Sequence, residues 1–178
     1  MEISDLEKQG FISVKYPPTL RSAVEEAMRS WQEFCQLSDG EKRSFSGEEN
    51  RLKDFGYMRR QDNGPRADNK ELFHACKRNI PFFEKQAAAI ADKRAISFIH
   101  AVDSLIDEIR PMVDKLSLAI EDIYKLKDFK DRVNQFVDKW TFRYLHYFPG
   151  EVLAHAHADR GDFTMHLYES HDGGEYLD

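Results

Sequence analysis

Ala154-His155-Ala156-His157-Ala158-Asp159-Arg160-Gly161-Asp162-Phe163-Thr164-Met165-His166-Leu167 opens with three metal-capable side chains at alternate positions and runs on into alternating apolar and polar residues. On an extended segment, alternate residues point to the same side. A rise of ~3.3 Å per residue places neighbours two apart about 6.6 Å from each other at the backbone. Two such side chains can converge on one ion at ligand distances of ~2.0–2.2 Å, whereas residues four apart cannot unless the strand bends. One metal therefore takes two of the three, and His157 belongs to both adjacent pairs. The alanines between them leave room around the ion. The plain alternative is a polar strand face with no ligand.

Moving outward, Thr141 to Phe148 is dense in aromatic and β-favouring residues, and Phe163 to Tyr168 alternates as a half-buried strand should. The chain reaches Glu175-Tyr176-Leu177-Asp178 at what reads as the start of another strand. A sheet cut there would have an unpaired edge and half a core. The amino-terminal side reads as helical. Ile90, Ile96, Ile99, Val102, Leu105, Ile106, Ile109, Val113, Leu116, Ile120 and Ile123 give a helical stripe from Phe82 to about Leu126, which Pro111 should kink or divide. His100 beside that stripe reads as a packing or surface residue. Leu20, Val24, Ala27, Met28, Trp31, Phe34 and Cys35 form an earlier stripe, with Thr19 or the Ser22/Glu25 pair as its cap. Gly10 to Val14 alternates like a short strand that Pro17-Pro18 ends.

Between the two stripes, Asp39 to Lys70 is polar and contains Gly40, Gly47, Gly56 and Gly64-Pro65, an irregular connection with one short strand near Tyr57. Connections this long in compact domains are often functional, which makes Tyr57 and Arg59 candidates to face a substrate. A solvated basic pair is the plainer reading of Arg59-Arg60.

The chain has 178 residues, 41% hydrophobic and 12% aromatic, as one globular domain should. Charged residues reach 33% but are mixed, and the net charge of -6 argues against nucleic acid as a partner and for a small-molecule substrate. Two cysteines without C-x-x-C spacing, Cys35 and Cys76, read as buried or idle thiols of a reducing compartment. Met1 to Asp5 lacks the basic start of a signal peptide, and no run approaches the ~20 apolar residues of a membrane span. The expectation is a cytoplasmic protein without a membrane partner, its oligomeric state left open.

A histidine and a carboxylate at alternate positions, joined by a distant histidine, are the usual source of the facial triad of non-haem Fe(II) oxygenases. Three ligands on one face of an octahedron leave the opposite face free for cosubstrate and O2. By itself such a tripeptide arises easily by chance. Its surroundings, however, resemble the isopenicillin N synthase-like family of 2-oxoglutarate and Fe(II)-dependent dioxygenases. Leu6-Glu7-Lys8-Gln9-Gly10-Phe11-Ile12 is similar to the family's opening strand. Phe34-Cys35-Gln36-Leu37-Ser38-Asp39-Gly40-Glu41-Lys42 is similar to its F-x-x-L-x-x-x-E-K. Gly56-Tyr57 and Asp68-Asn69-Lys70-Glu71-Leu72-Phe73 match its G-Y and D-x-K-E-x-F elements. Arg143-Tyr144-Leu145-His146-Tyr147-Phe148-Pro149 follows R-x-x-H-Y-P-P, and His157 to Leu167 fits H-x-D-x-G-x-L-T-x-x-L. Gly173-Gly174 falls where the family has its G-G-L-Q-V strand. The likeness spans essentially the whole chain and is most specific at the H-x-D segment.

The resemblance implies an α+β fold: amino-terminal helices and short strands, then a double-stranded β-helix (jelly-roll) core, incomplete at the carboxyl end. Residues 1–135 would be the mainly helical region and 136–178 the first strands of the catalytic core. It implies His157 and Asp159 as iron ligands and Tyr147 as a hydrogen-bond partner of 2-oxoglutarate. His155 would support the motif from outside the ligand set. The implied reaction activates O2, decarboxylates 2-oxoglutarate to succinate and abstracts hydrogen from the substrate. No side chain is singled out as catalytic in its own right. The family's distal histidine, and the arginine and serine or threonine that hold the far carboxylate of 2-oxoglutarate, have no counterpart here. His166 and His171 follow Asp159 too closely to replace that histidine. The chain thus reads as a fragment of an enzyme. The alternatives are an oxidase of the isopenicillin N synthase kind that dispenses with 2-oxoglutarate, and a truncated, inactive paralogue serving as an interaction module. On any of these readings the isolated 178-residue chain is expected to bind iron poorly and turn over nothing. Succinate released under O2 by the pure monomeric chain with added Fe(II) and 2-oxoglutarate would overturn that expectation.

Overall fold

Pro17-Pro18 starts the first helix rather than ending a strand. The computed structural model describes residues 10–47, 52, 54–61, 69–148 and 163–170. In chain order its elements are α1 (Pro18–Cys35), α2 (Asp39–Arg43), β1 (Gly56–Arg60), β2 (Lys70–Ala75), α3 (Ile80–Ile90), α4 (Lys93–Tyr124), α5 (Phe129–Gln135) and β3 (Phe142–Tyr147). Single 3-10 turns occupy Lys77–Asn79 and Val137–Lys139. The protein is mixed helix and sheet, as expected. It divides into two compact units, one within Met1–Leu37 and Ala75–Phe142, the other within Ser38–His74 and Arg143–Asp178.

In the helical unit, the α1 stripe is buried as its spacing predicts, through Leu20, Val24, Ala27, Trp31 and Phe34. The Trp31 ring lies 5.7 Å from Phe34 and 5.4 Å from Phe98 of α4, and Phe34 and Phe98 are 4.9 Å apart between centroids. Each such side chain removed from water contributes about 1.5–3 kcal/mol, and the cluster joins the buried apolar face of α4, including Ile99, Val102, Leu105 and Ile106, in the unit's core. Lys77 reaches Asp103 at 2.6 Å and Asp107 at 2.8 Å, two carboxylates one helical turn apart, and so docks the chain leaving β2 onto α4.

Four local expectations are corrected. Residues 11–17 alternate in exposure but form no strand, because no described neighbour offers them a hydrogen-bonded ladder. Thr19 and Ser22 do not cap α1. Pro18 begins it with a preset φ, and the Ser22 hydroxyl donates to the Pro18 carbonyl. The long helical stripe breaks at Ala91, which is left-handed at φ 57°, and Asp92 caps α4 by accepting from the Arg94 N–H. Pro111, by contrast, sits inside a continuous 32-residue α4. It is exposed, so water can take the carbonyl that its missing N–H leaves unpaired. Finally, Phe163 to Tyr168 alternates in exposure without a strand. Among the described residues, no helix is long and apolar enough to cross a membrane.

The sheet unit departs from the expected irregular connection. Ser38 makes a capping box with Glu41 and nucleates α2, the expected short strand near Tyr57 is β1, and a second strand, β2, starts at Lys70 where the connection was expected to end. β1 and β2 pair antiparallel with Tyr57 opposite Phe73 and Arg59 opposite Glu71. β2 is central in the order β1-β2-β3. The Phe148 N–H donates to the Asn69 carbonyl at 3.0 Å, tying the exit of β3 to the entrance of β2 and running those strands antiparallel. Where β1 starts, Gly56 holds φ +89° against the backbone of Phe45, and a Cβ there would run into the Phe45 carbonyl oxygen. That oxygen already accepts the Tyr57 N–H at 3.1 Å. Gly56→Ala should therefore cost upwards of about 2 kcal/mol in chemical denaturation. Gly40→Ala, in α2 with open space around it, should be neutral or stabilising by up to about 1 kcal/mol. Equal effects would show that the Gly56 conformation does not matter.

Candidate functional site

The sheet unit is organised around one carboxylate. Glu71 occupies the second position of central strand β2, with a side chain only 3% exposed. Strand alternation points it to the same face as Tyr57, Arg59 and Phe73. Phe45 packs edge-on against Phe73 on that face, with ring centroids 6.1 Å apart.

A carboxylate taken out of water costs several kcal/mol unless it is paired and hydrogen-bonded. Three side chains meet that need. The ammonium of Lys42, itself 6% exposed at the end of α2, donates to Oε2 at 2.8 Å. The Tyr57 hydroxyl donates to the same oxygen at 2.9 Å. His146 of β3 faces Oε1 through Nδ1 at 2.8 Å, and because an ionised carboxylate only accepts, Nδ1 carries the proton. Lys42 also lies 5.5 Å from the centre of the Tyr57 ring.

Burial alone would raise the Glu71 pKa, but the hydrogen bonds from Lys42, His146 and Tyr57 outweigh it and hold the carboxyl below its ordinary value. The same contact acts in reverse on Tyr57, whose phenol is pushed far up by burial and by its bond to Glu71. Tyr57 is a protonated donor at any working pH. Arg59, exposed on the same face, pairs with Asp39 at 3.2 Å and rests 5.1 Å over the Phe148 ring. These two were the candidates to face a substrate. The structure ties the Tyr57 hydroxyl to Glu71 and leaves the Arg59 guanidinium at the surface.

Tyr147, the position expected to hold 2-oxoglutarate, ends β3 on the opposite face, half-buried with the Lys70 ammonium 5.0 Å from its ring centre. Along that face, Arg143 stands across from His74. Burial keeps the His74 pKa below its ordinary value, and the nearby cations Arg143 and Arg60 push it the same way. Its Nδ1 sits 2.9 Å from the Asp54 carbonyl, which can only accept, so the ring is a neutral donor. His157 and Asp159, the expected iron ligands, lie outside the described residues, as do His155 and His171. His166 is exposed, with Glu169 at 3.8 Å. His100 is exposed on α4, Cys35 is half-buried and Cys76 is buried.

Three members of the network, Lys42, Glu71 and His146, carried no expected role. Each lies inside a segment quoted above for its likeness to the family, but the segments are separate in sequence, and only the pairing of the strands and the placement of α2 beside them bring the three together. The available signal was local: a glutamate set directly before the apolar pair Leu72-Phe73 has to find a cation once that strand is buried.

No protein-family model, no curated protein and no solved structure matches the chain.

Glu71→Gln removes the charge that compensates buried Lys42, and breaking such a pair costs about 3–5 kcal/mol. Wild-type Glu71 has a folded-state pKa below the unfolded value of ~4.3, so its contribution is complete above that value and lost as pH falls through the folded one. Thermal melts from neutral to acidic pH should show a steeper loss in the wild type than in Glu71→Gln. Parallel curves would mean that Glu71 is not held ionised.

Proposed function

We propose that this chain carries the amino-terminal region and first core strands of a non-haem Fe(II), 2-oxoglutarate-dependent oxygenase acting on a small molecule. His157 and Asp159 would hold the iron and Tyr147 a carboxylate of 2-oxoglutarate. The observation that carries the reading is the meeting of four separate motif segments on one buried group. Lys42 comes from the F-x-x-L-x-x-x-E-K segment, Tyr57 from G-Y, Glu71 from D-x-K-E-x-F and His146 from R-x-x-H-Y, and all share the Glu71 carboxylate. Chance matches strewn along a chain have no reason to share a partner, whereas elements inherited with one fold do. In this reading the sheet β1-β2-β3 is one border of a jelly-roll.

The donor set fits ferrous iron in kind, since a neutral imidazole and a carboxylate at alternate positions are two members of the facial triad. When bound, iron and 2-oxoglutarate supply O2 activation and oxidative decarboxylation to succinate. The chain's own residues bind and orient. Tyr147 would donate a hydrogen bond from its phenol O–H to the cosubstrate carboxylate. Arg59, paired with Asp39 on the other face, and Tyr57, bound to Glu71, act on the substrate only through the strand they hold in place.

The test is anaerobic titration of the protein at its natural length with Fe(II) and 2-oxoglutarate, followed by the visible charge-transfer band of their complex. The band should form in the wild type and vanish in His157→Ala and Asp159→Ala. Tyr147→Phe should weaken 2-oxoglutarate binding by about ten-fold or more, as loss of one hydrogen bond to a charged group does. No band in the wild type, or an undiminished band in both ligand variants, sinks the reading.

A further inference from the structure

Among the described residues, three that are not glycine hold a positive φ, and two of them bracket one short link. Lys125 ends α4 at φ 52°, and Asp128 precedes α5 at φ 57°. The third, Ala91, stands alone between α3 and α4. A left-handed residue with a Cβ crowds the backbone, so it stays there only while its surroundings hold it.

What α5 contributes to holding that link is thin. Of its seven residues only Phe129 and Val133 are buried. A helix this short is unstable alone, because so few hydrogen bonds do not offset the cost of starting it. Left-handed Asp128 gives it no side-chain cap. The cap comes from the neighbouring helix, where Glu121 of α4 accepts the Lys130 N–H at 3.0 Å. Two turns earlier on α4, Asp114 accepts from the Asn134 side-chain amide at 2.6 Å. Ser117 lies on the same side of α4 between Asp114 and Glu121. It is fully buried, and its hydroxyl has no hydrogen-bond partner among the described residues. That hydroxyl opposes docking, since water would satisfy it. The chain beyond α5 is pinned separately, by Arg78 on Asp138 at 2.7 Å.

We infer that α5 is a strap that undocks from α4 and unwinds as one unit, between fixed points at Tyr124 and Asp138, while the rest of the helical unit stays folded. Undocking and unwinding are a single event, because α5 loses the Glu121 cap on leaving. Opening relaxes both left-handed residues, frees the Ser117 hydroxyl to meet water and bares Phe129 and Val133. Elements with few buried contacts open before the core does. The strap is independent of the oxygenase reading and needs neither iron nor 2-oxoglutarate.

Native-state hydrogen exchange of the natural-length protein, followed amide by amide at low denaturant, tests it. The Val133 and Asn134 amides should open about ten-fold or more often than those of Ile99 and Val102 in α4, with a weaker dependence on denaturant. Lys125→Gly and Asp128→Gly remove the crowding and should each lower α5 opening about two- to five-fold. Ser117→Ala should lower it as well. Glu121→Ala, which removes the cap without touching α5, should raise it about five-fold. Ala91→Gly relieves the same strain at the other junction and should leave α5 opening unchanged. Exchange of α5 only through global unfolding, with the denaturant dependence of Val102, overturns the strap. So does α5 opening that neither glycine variant lowers, or that Ala91→Gly lowers equally.

Discussion

A negative charge inside the sheet unit is the constraint to which the rest of that unit answers. Glu71 is buried on the central strand, and burial of a lone carboxylate is so unfavourable that the fold has to bring donors to it. They come from three different elements: Lys42 from α2, Tyr57 from β1 and His146 from β3. Each donor constrains its element. The capping box at Ser38 and Glu41 starts α2 so that Lys42 falls in its last turn, and the left-handed Gly56 lets β1 begin tight against Phe45 so that Tyr57 points inward. The Phe148–Asn69 backbone bond sets β3 so that His146, and not Leu145 or Tyr147, stands across from Glu71.

This arrangement sorts the side chains of the sheet. One face becomes a closed polar network wrapped in Phe45, Phe73 and Tyr144, in which each cation has a carboxylate. The other holds Arg143, Leu145 and Tyr147 in partial exposure with no acid among its strand positions. In the proposed reading, cosubstrate binding falls to the second face for a physical reason. A side chain whose donors are already satisfied has little left to offer a ligand, whereas the Tyr147 phenol lies outside that network.

Sequence periodicity was a good guide wherever burial is one-sided and local. The α1 stripe and β3 are both legible because their apolar residues repeat at 3.6 or concentrate in a β-favouring run. It failed where the deciding partner is distant or conformation is set by one residue. β2 reads Lys-Glu-Leu-Phe-His-Ala and looks polar, yet it is the central strand, because its charges are neutralised by residues far along the chain. The break at Ala91 has no glycine to announce it; the cap supplied by Asp92 and the fork of Arg94 upon it decide the point. Pro111 looked like a breaker and is tolerated because its face of α4 is wet. Of the candidate site, the β-favouring run that carries His146 could be read. The Glu71 network could not, since no local pattern says which lysine will lie beneath which strand.

The two units are held by different physics. In the helical unit, Trp31, Phe34 and Phe98 contribute non-directional burial, which tolerates small shifts of helix against helix. In the sheet unit the network is directional, and a buried ion pair adds little net stability over apolar residues of the same size. Its effect is on register. A one-residue slip of β3 would exchange its faces, carrying Tyr147 and Arg143 inward against Phe73 and leaving Glu71 opposite a leucine or a tyrosine ring. The apolar residues of β3 would discriminate weakly against that slip, since Leu145 and Tyr147 are as buriable as Tyr144. The charge on Glu71 discriminates against the slip that would set Leu145 across from it, because a leucine has no donor to give. The carboxylate thus fixes which residues of β3 join the buried network and which face away from it.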